Sequence, residues 1–310
     1  MMGVPVCSTT CWKNSNNRLY SRMNEIEHAI SDATGCTFRS ASSSSIAGGC
    51  INQASRITGE DERQYFIKKN QPSFLPFFEA EAHALIEIKN TKTVRAPEVI
   101  TYGTGSDQAY LVLEYIEEGA TSSAGQAELG TQLARLHRVN QPFFGWSMDN
   151  CIGATPQPNP RSDDWVSFYR DHRLAHQFEL AARKGRKFEG SQTLLDSLDS
   201  FFYNYSPPPS LLHGDLWGGN ASQDSKGHPF IFDPASYYGD READLAFTYM
   251  FGGFSSSFYN AYEREFPLDS GFKQRKTLYN LYHELNHFNL FGGGYASSAQ
   301  SSINQLVHTV

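Results

Sequence analysis

The periodicity of the chain changes character near residue 116, and that change restricts the fold more than any other feature. Before it, apolar and β-branched residues gather in short runs at Phe38–Ile46, Ile51–Ile57, Gln64–Lys69, Val99–Tyr102 and Ala109–Tyr115, with turn residues at 47–50 and 59–61. Two helical patterns interrupt the runs, one over 25–32 that ends at Gly35 and one over 78–89. After residue 116, helical spacing takes over at 124–138, 163–183, 191–203, 241–250 and 272–290. The pattern predicts an α+β chain of two lobes: a β-rich N-lobe with one main helix over residues 23–116, and a larger, mostly helical C-lobe over 117–310. Residues 1–22 read as an N-terminal extension, disordered or non-native. They are polar and lack the apolar stretch of a signal peptide, and Met23-Asn24-Glu25 makes a more natural start.

With 39% apolar and 14% aromatic residues, a chain of 310 residues buries a sizeable core. The formal net charge of −7, without a Lys/Arg block, argues against nucleic acid or an anionic membrane as the main partner. No stretch approaches the roughly 18 apolar residues of a membrane span. The five cysteines (Cys7, Cys11, Cys36, Cys50 and Cys151) are odd in number and irregular in spacing. That pattern points to reduced thiols in a cytoplasmic protein rather than to a zinc site.

The densest chemical signal is the stretch LLHGDLWGGNASQDSKGHPFIFDPAS at 211–236. Asn220 follows Asp215 by five residues, and Asp233 follows Asn220 by 13, after an apolar run Pro229–Phe232 that reads as a short buried strand. Phosphoryl transfer from ATP needs a carboxylate near the acceptor hydroxyl and oxygen ligands for Mg²⁺, and protein kinases supply them in this order. Asp215 is the candidate base, and Asn220 and Asp233 are the candidate metal ligands. His213 reads as structural, orienting the loop through backbone hydrogen bonds. Gly214, Gly218 and Gly219 allow a close backbone approach. Trp217 either walls an acceptor pocket, where an indole packs on a sugar face, or plugs the core beneath the loop.

In the first lobe, Gly48 and Gly49 sit in a turn between two strands, where backbone N–H groups can approach phosphates. Lys68 ends the third strand, where a phosphate-binding lysine is expected. At helical spacing Glu81 falls within the apolar arc of Phe78, Ala82, Leu85 and Ile88, with Glu79 at its edge. A carboxylate on a buried face needs a cation, so Glu81 is the expected partner of Lys68. Glu114 and Ile116 resemble a kinase hinge, whose backbone groups meet adenine. Cys50 closes the glycine turn near Lys68. A thiol there would favour thiolate, which makes Cys50 a candidate for reversible oxidation that blocks ATP. Arg241 is expected to pair with a phosphate or with Asp240. The histidines and aromatics of the C-terminal segment (His283, His287, Phe288, Phe291 and Tyr295) read mainly as core.

The motifs HGDLWGGN, IFDPASYYGDREADLA, MFGGFSSSFYNAY and LYHELNHFNLFGGGY resemble those of the fructosamine-3-kinase (ketosamine-3-kinase) family, which belongs with the aminoglycoside phosphotransferases and the protein-kinase-like fold. The likeness runs from about residue 24 to the C-terminus. It implies a bilobal kinase that uses ATP and Mg²⁺ to phosphorylate the 3-hydroxyl of ketosamines (ribulosamine, erythrulosamine or fructosamine adducts), on small amines or glycated proteins. The 3-phosphate then leaves by β-elimination, which starts deglycation. By the same resemblance Lys68 and Glu81 hold the α- and β-phosphates, and Asp244 braces the catalytic loop. One alternative is a small-molecule kinase of aminoglycoside or amino-alcohol type, which would carry an acidic patch not evident near the C-terminus. A second is a non-catalytic nucleotide-binding regulator, which would lack one of Lys68, Asp215, Asn220 or Asp233, and all four are present. A monomer or a homodimer is compatible with the sequence.

Overall fold

The computed structural model describes residues 24–46 and 51–309. The extension at 1–22 and the turn that carries Gly48, Gly49 and Cys50 lie outside the described residues. The chain divides into two compact units. One holds the residues up to Ala82 together with Glu98–Tyr115; the other holds His83–Pro97 and the chain from Ile116 onward.

In the first unit, α1 (Glu25–Thr34) precedes strands β1 (Ser40–Ser45), β2 (Gln53–Gly59) and β3 (Gln64–Asn70). Helix α2 (Leu75–Thr91) follows, and the unit closes with β4 (Val99–Thr104) and β5 (Ala109–Glu114). The five strands form one sheet in the order β1-β2-β3-β5-β4, each pair antiparallel. The start of α1 is fixed by a capping box: the Asn24 side chain accepts from the Ile26 and Glu27 N–H groups, and the Glu27 carboxylate accepts from the Asn24 N–H. The same carboxylate accepts the Ser40 N–H at 2.9 Å, which ties the helix to the first strand. Ile26 and Ile30 of α1 pack with Phe38, Ile57, Tyr65, Ile67, Tyr110 and Val112. Because side chains alternate along a strand, placing Tyr65 and Ile67 in this core turns Lys68 to the opposite face.

The second unit is mostly helical. Helix α3 (Ser123–Leu136) is followed by a small hairpin of β6 (Asn150–Ile152) and β7 (Thr155–Gln157). The expected helix at 163–183 forms as α4 (Trp165–Tyr169), a π-helical segment Arg170–Ala175 and α5 (His176–Arg183). Helix α6 (Ser191–Asp196) leads to short strands β8 (Ser210–Leu211), β9 (Ala221–Gln223), β10 (Pro229–Ile231) and β11 (Tyr238–Gly239). The chain ends in α7 (Arg241–Phe247), α8 (Ser256–Glu265), α9 (Phe272–Phe291) and α10 (Tyr295–Val307). Helix α9 packs against α5, α7 and α10, and α3 packs against α8. At Gly130 the backbones of α3 and α8 come so close that a Cβ would lie 2.2 Å from the Phe258 carbonyl oxygen. Among the described residues no helix is long and apolar enough to cross a membrane.

The segment His83–Pro97 is held in this unit by polar anchors. Glu87 accepts from the Trp146 indole at 2.7 Å and from the Tyr238 hydroxyl at 2.8 Å. Arg95 pairs with Asp224 at 2.7 Å, and its carbonyl accepts the Ile231 N–H.

A buried ionic cluster joins α7 to α9. Arg275, 2% exposed, donates to both oxygens of Glu242 at 2.7 and 3.1 Å, to Asp269 at 2.6 Å and to the Phe201 carbonyl. Its guanidinium lies 3.7 Å from the ring centre of Tyr205, whose hydroxyl donates to Asp240. Tyr279 donates to the other Asp240 oxygen at 2.6 Å. Burial pushes the Asp240 and Glu242 carboxyls up, and the hydrogen bonds from Tyr279 and Arg275 respectively oppose it. Replacing one partner of such a pair leaves an uncompensated charge, at a cost of about 3–5 kcal/mol. Arg275→Leu should lower the unfolding free energy in urea by about that much. Arg275→Leu with Glu242→Leu should recover part of it. A single variant as stable as wild type would show that the cluster does not hold α7 to α9.

Candidate active site

The catalytic stretch is built from two turns tied to each other. Strand β8 pairs with β11, and the Leu212 N–H bonds the Tyr237 carbonyl. The His213 carbonyl then accepts the Ala235 N–H at 2.9 Å, which fastens the first turn to the second. Between them β9 and β10 form a hairpin, and the Phe232 N–H reaches the Asn220 carbonyl at 3.0 Å. Gly214 has φ +84, and a Cβ there would lie 2.0 Å from the Ala235 carbonyl oxygen, so the crossing of the two turns requires glycine.

His213 is fully buried, and its ring is part of the scaffold. Nε2 donates to the Phe232 carbonyl at 2.9 Å, while Nδ1 accepts the Asp215 N–H at 3.2 Å. That division of labour requires the neutral tautomer with its proton on Nε2. Burial, opposed by Asp244, keeps the imidazole below the usual histidine range. Asp244, on α7, accepts the N–H groups of His213 at 2.6 Å and Gly214 at 2.8 Å. Its Oδ2 also meets His137 Nε2 at 3.2 Å, and His137 Nδ1 meets the Tyr262 hydroxyl at 2.8 Å.

The structure brings Asp215 and Asn220 together. The Asn220 amide donates to the Asp215 carbonyl at 2.8 Å and to its carboxylate at 3.1 Å. Both amide protons are thus used on Asp215, which leaves the Asn220 carbonyl oxygen as the group suited to a cation. Asp233 follows Phe232, which bonds both Asn220 and His213, and takes a left-handed backbone at φ +58. Carboxylate and amide oxygens, the groups that Asp233 and Asn220 carry, are the hard donors that Mg²⁺ prefers.

Trp217 does not plug the core. The residue is 36% exposed, and its ring folds over Gly219 and meets Phe251 at 5.7 Å. Among the described residues Arg241 does not pair with Asp240. It is buried over the Phe266 ring and donates to the Phe266 and Pro267 carbonyls. In the first unit Lys68 is 5% exposed and donates to Glu81 at 2.7 Å. The Glu114 N–H is taken by the Glu98 carbonyl, and among the described residues the Ile116 N–H meets no backbone acceptor.

Several supporting residues were not singled out from sequence. Asn150 donates to the Ser236 carbonyl, and Gln157 donates to Asn150 and to the Ala235 carbonyl. Arg173, fully buried in the π-helical segment, donates to Asn159, which in turn bonds Asn150. Together they hold the turn that follows Asp233. Their spacing in sequence carries no motif, and their one common signal is polar residues at positions that the fold buries. His283 lies face to face on Phe247 at 3.5 Å, with its Nδ1 unpartnered among the described residues. Phe291, expected in the core, is 54% exposed.

Burial holds His283 well below the ordinary histidine value of 6.5, with help from the charges of His287 and Arg173. The unfolded chain therefore takes up the proton first. The stability that a neutral His283 contributes is complete above pH 6.5 and is lost as pH falls toward the folded value, at up to about 1.4 kcal/mol per pH unit. His283→Phe keeps a ring on Phe247 and removes that proton site. Its unfolding free energy should fall less steeply than wild type between about pH 6.5 and 5, by close to one proton. Parallel slopes in urea titrations would exclude a buried neutral His283.

A family model described as fructosamine kinase matches residues 22–309. A probable ketoamine kinase of Synechocystis sp. is 44% identical over 281 residues, covering 90% of this chain and 95% of the relative. The chloroplastic protein-ribulosamine 3-kinase of Arabidopsis thaliana is 42% identical over 268 residues, covering 84% and 81%. Among solved structures, a putative fructosamine-3-kinase from Haemophilus somnus superposes with a TM-score of 0.86 at 28% identity, over 91% of this chain and 97% of the other. The choline kinase LicA of Streptococcus pneumoniae superposes with a TM-score of 0.61 at 15% identity, over 92% and 98% of the two chains, a likeness of fold alone. The fold is that of the protein-kinase-like phosphotransferases.

Proposed function

Because this chain belongs to the fructosamine kinase family, we propose that it transfers the γ-phosphoryl group of ATP to the 3-hydroxyl of a ketosamine. The observation that carries this reading is the Asp215–Asn220 pair, held on a loop whose N–H groups are clamped by Asp244. Asp215 takes the proton of the attacking hydroxyl. Asn220, through its carbonyl oxygen, and Asp233 hold Mg²⁺, which neutralises charge on the phosphates when bound. In the other unit Lys68, kept in place by Glu81, faces the α- and β-phosphates. The carbonyl of Glu114 and the N–H of Ile116 meet adenine, and the exposed Trp217 ring lies along the sugar. Gly48 and Gly49 cover the phosphates, on the strength of the sequence.

The relative from Arabidopsis carries ribulosamine in its name, and those from Synechocystis and Vibrio cholerae carry ketoamine. A ribulosamine is accordingly the first acceptor to test, with erythrulosamine and fructosamine beside it. Phosphorus NMR with ATP, Mg²⁺ and these three adducts should show a new 3-phosphate ester and ADP. If ATP is consumed only with an aminoglycoside or an amino alcohol, the ketosamine reading fails.

Within that assay Asp215→Asn should keep ATP binding and lose on the order of 10²–10⁴ in kcat, the scale of a positioned base. Asp233→Ala should weaken use of Mg·ATP, and Lys68→Ala should raise KM for ATP. Normal turnover in Asp215→Asn would remove that carboxylate from proton transfer.

A further inference from the structure

The second unit carries an aromatic surface that begins at Trp217 of the catalytic loop and continues over rings to which phosphoryl transfer assigns no role. The Trp217 ring meets Phe251 at 5.7 Å, and Phe251 meets His287 at 5.3 Å. His287 meets Phe291 at 5.9 Å and Tyr295 at 5.0 Å, so the rings run as a strip from the loop to the start of α10. Phe251 and Phe291 are 52% and 54% exposed. Scattered exposed apolar residues are ordinary, but a continuous strip beside a reaction centre marks a binding surface.

The backbone supports the same conclusion. Phe251 has φ 56 and ψ 37, the left-handed region that a bulky side chain rarely adopts. Gly252 and Gly253 follow, also at positive φ. A conformation of this kind persists where the surrounding structure enforces it, and such outliers gather at ligand sites. Here the result is a phenyl ring lifted into solvent next to Trp217.

We propose that this strip binds the amine-borne arm of the substrate: the methylene stem of a glycated lysine and the polypeptide beyond it. The inference rests on the ketosamine reading. In a ketosamine the nitrogen is on C1, two carbons from the C3 that bears the reacting hydroxyl. With the sugar along Trp217, the arm that the nitrogen carries would extend over Phe251 and the rings beyond it. The nitrogen is a secondary amine, protonated at neutral pH, and the ring faces attract it. The lysine methylenes are apolar and pack on aromatic surface. His287, at the middle of the strip, donates its Nδ1 proton to the His283 carbonyl, so a neutral imidazole satisfies the geometry and sets no like charge against the ammonium.

The test compares two adducts of one sugar, one on methylamine and one on the lysine of a short peptide. Wild type is set beside Phe291→Ser with Phe251→Gly, since glycine accepts the left-handed backbone at 251. The double variant should raise KM for the peptide adduct about tenfold, the scale of two lost aromatic contacts. Its kcat/KM for the methylamine adduct should stay within about twofold of wild type. Equal losses on the two adducts, or no loss on the peptide, overturn the proposal and leave the ketosamine reading standing. Wild type that phosphorylates neither adduct overturns that reading and this one with it, a result visible before any substitution is made.

Discussion

Asp244 is 2% exposed and accepts hydrogen bonds from two successive backbone N–H groups, those of His213 and Gly214. A carboxylate removed from water persists only where donors replace its hydration. The donors here belong to the loop that carries Asp215, with His137 as a third. Position of the loop and solvation of the carboxylate are therefore the same interaction seen from two sides. If the loop moves, a buried charge is stranded, and the cost of that returns the loop to its place. Asp244 itself is anchored on α7, which the Arg275–Glu242 pair joins to α9.

Around that anchor the two turns are fastened largely by neutral polar groups. His213 offers one nitrogen to a carbonyl and the other to an N–H, a role a doubly protonated ring cannot fill. Asn150 and Gln157 hold the carbonyls of Ala235 and Ser236 with amide donors. Dipoles fixed in this way do not reorganise when charge moves during a reaction, which is what preorganisation demands of a scaffold.

What could be read from sequence follows how local each constraint is. The Lys68–Glu81 pair was legible because helical spacing places Glu81 among Phe78, Leu85 and Ile88, where a lone carboxylate would not survive. Asp215, Asn220 and Asp233 were legible because a short hairpin fixes their separation along the chain. His137 was not, since its partners Asp244 and Tyr262 lie 107 and 125 residues away. Helix α8 opens on a run of serines and α10 is rich in small polar residues, and these mask the helical spacing of the buried Phe258, Ala261 and Tyr262 and of Ala299, Ile303 and Leu306. Phe291 reads as core at the end of a helix rich in aromatic and apolar positions, and nothing in its spacing reveals that the next rings continue outward. The left-handed turn at Phe251 depends on its surroundings and leaves no mark in composition.

The allocation of His83–Pro97 to the second unit bears on the order in which a ribosome delivers the parts. Glu87 is made long before Tyr238, its hydrogen-bond partner 151 residues on. At roughly 5–20 residues per second, that interval is roughly 8–30 s. The first unit has all its strands once β5 has emerged, well before that interval ends. Through the rest of it, the end of α2 and the Arg95 strand edge wait for partners that have yet to be synthesised. A nascent chain of this protein thus presents a finished sheet and an unfinished helix end together, and chaperones that bind exposed apolar helix would meet it in that window.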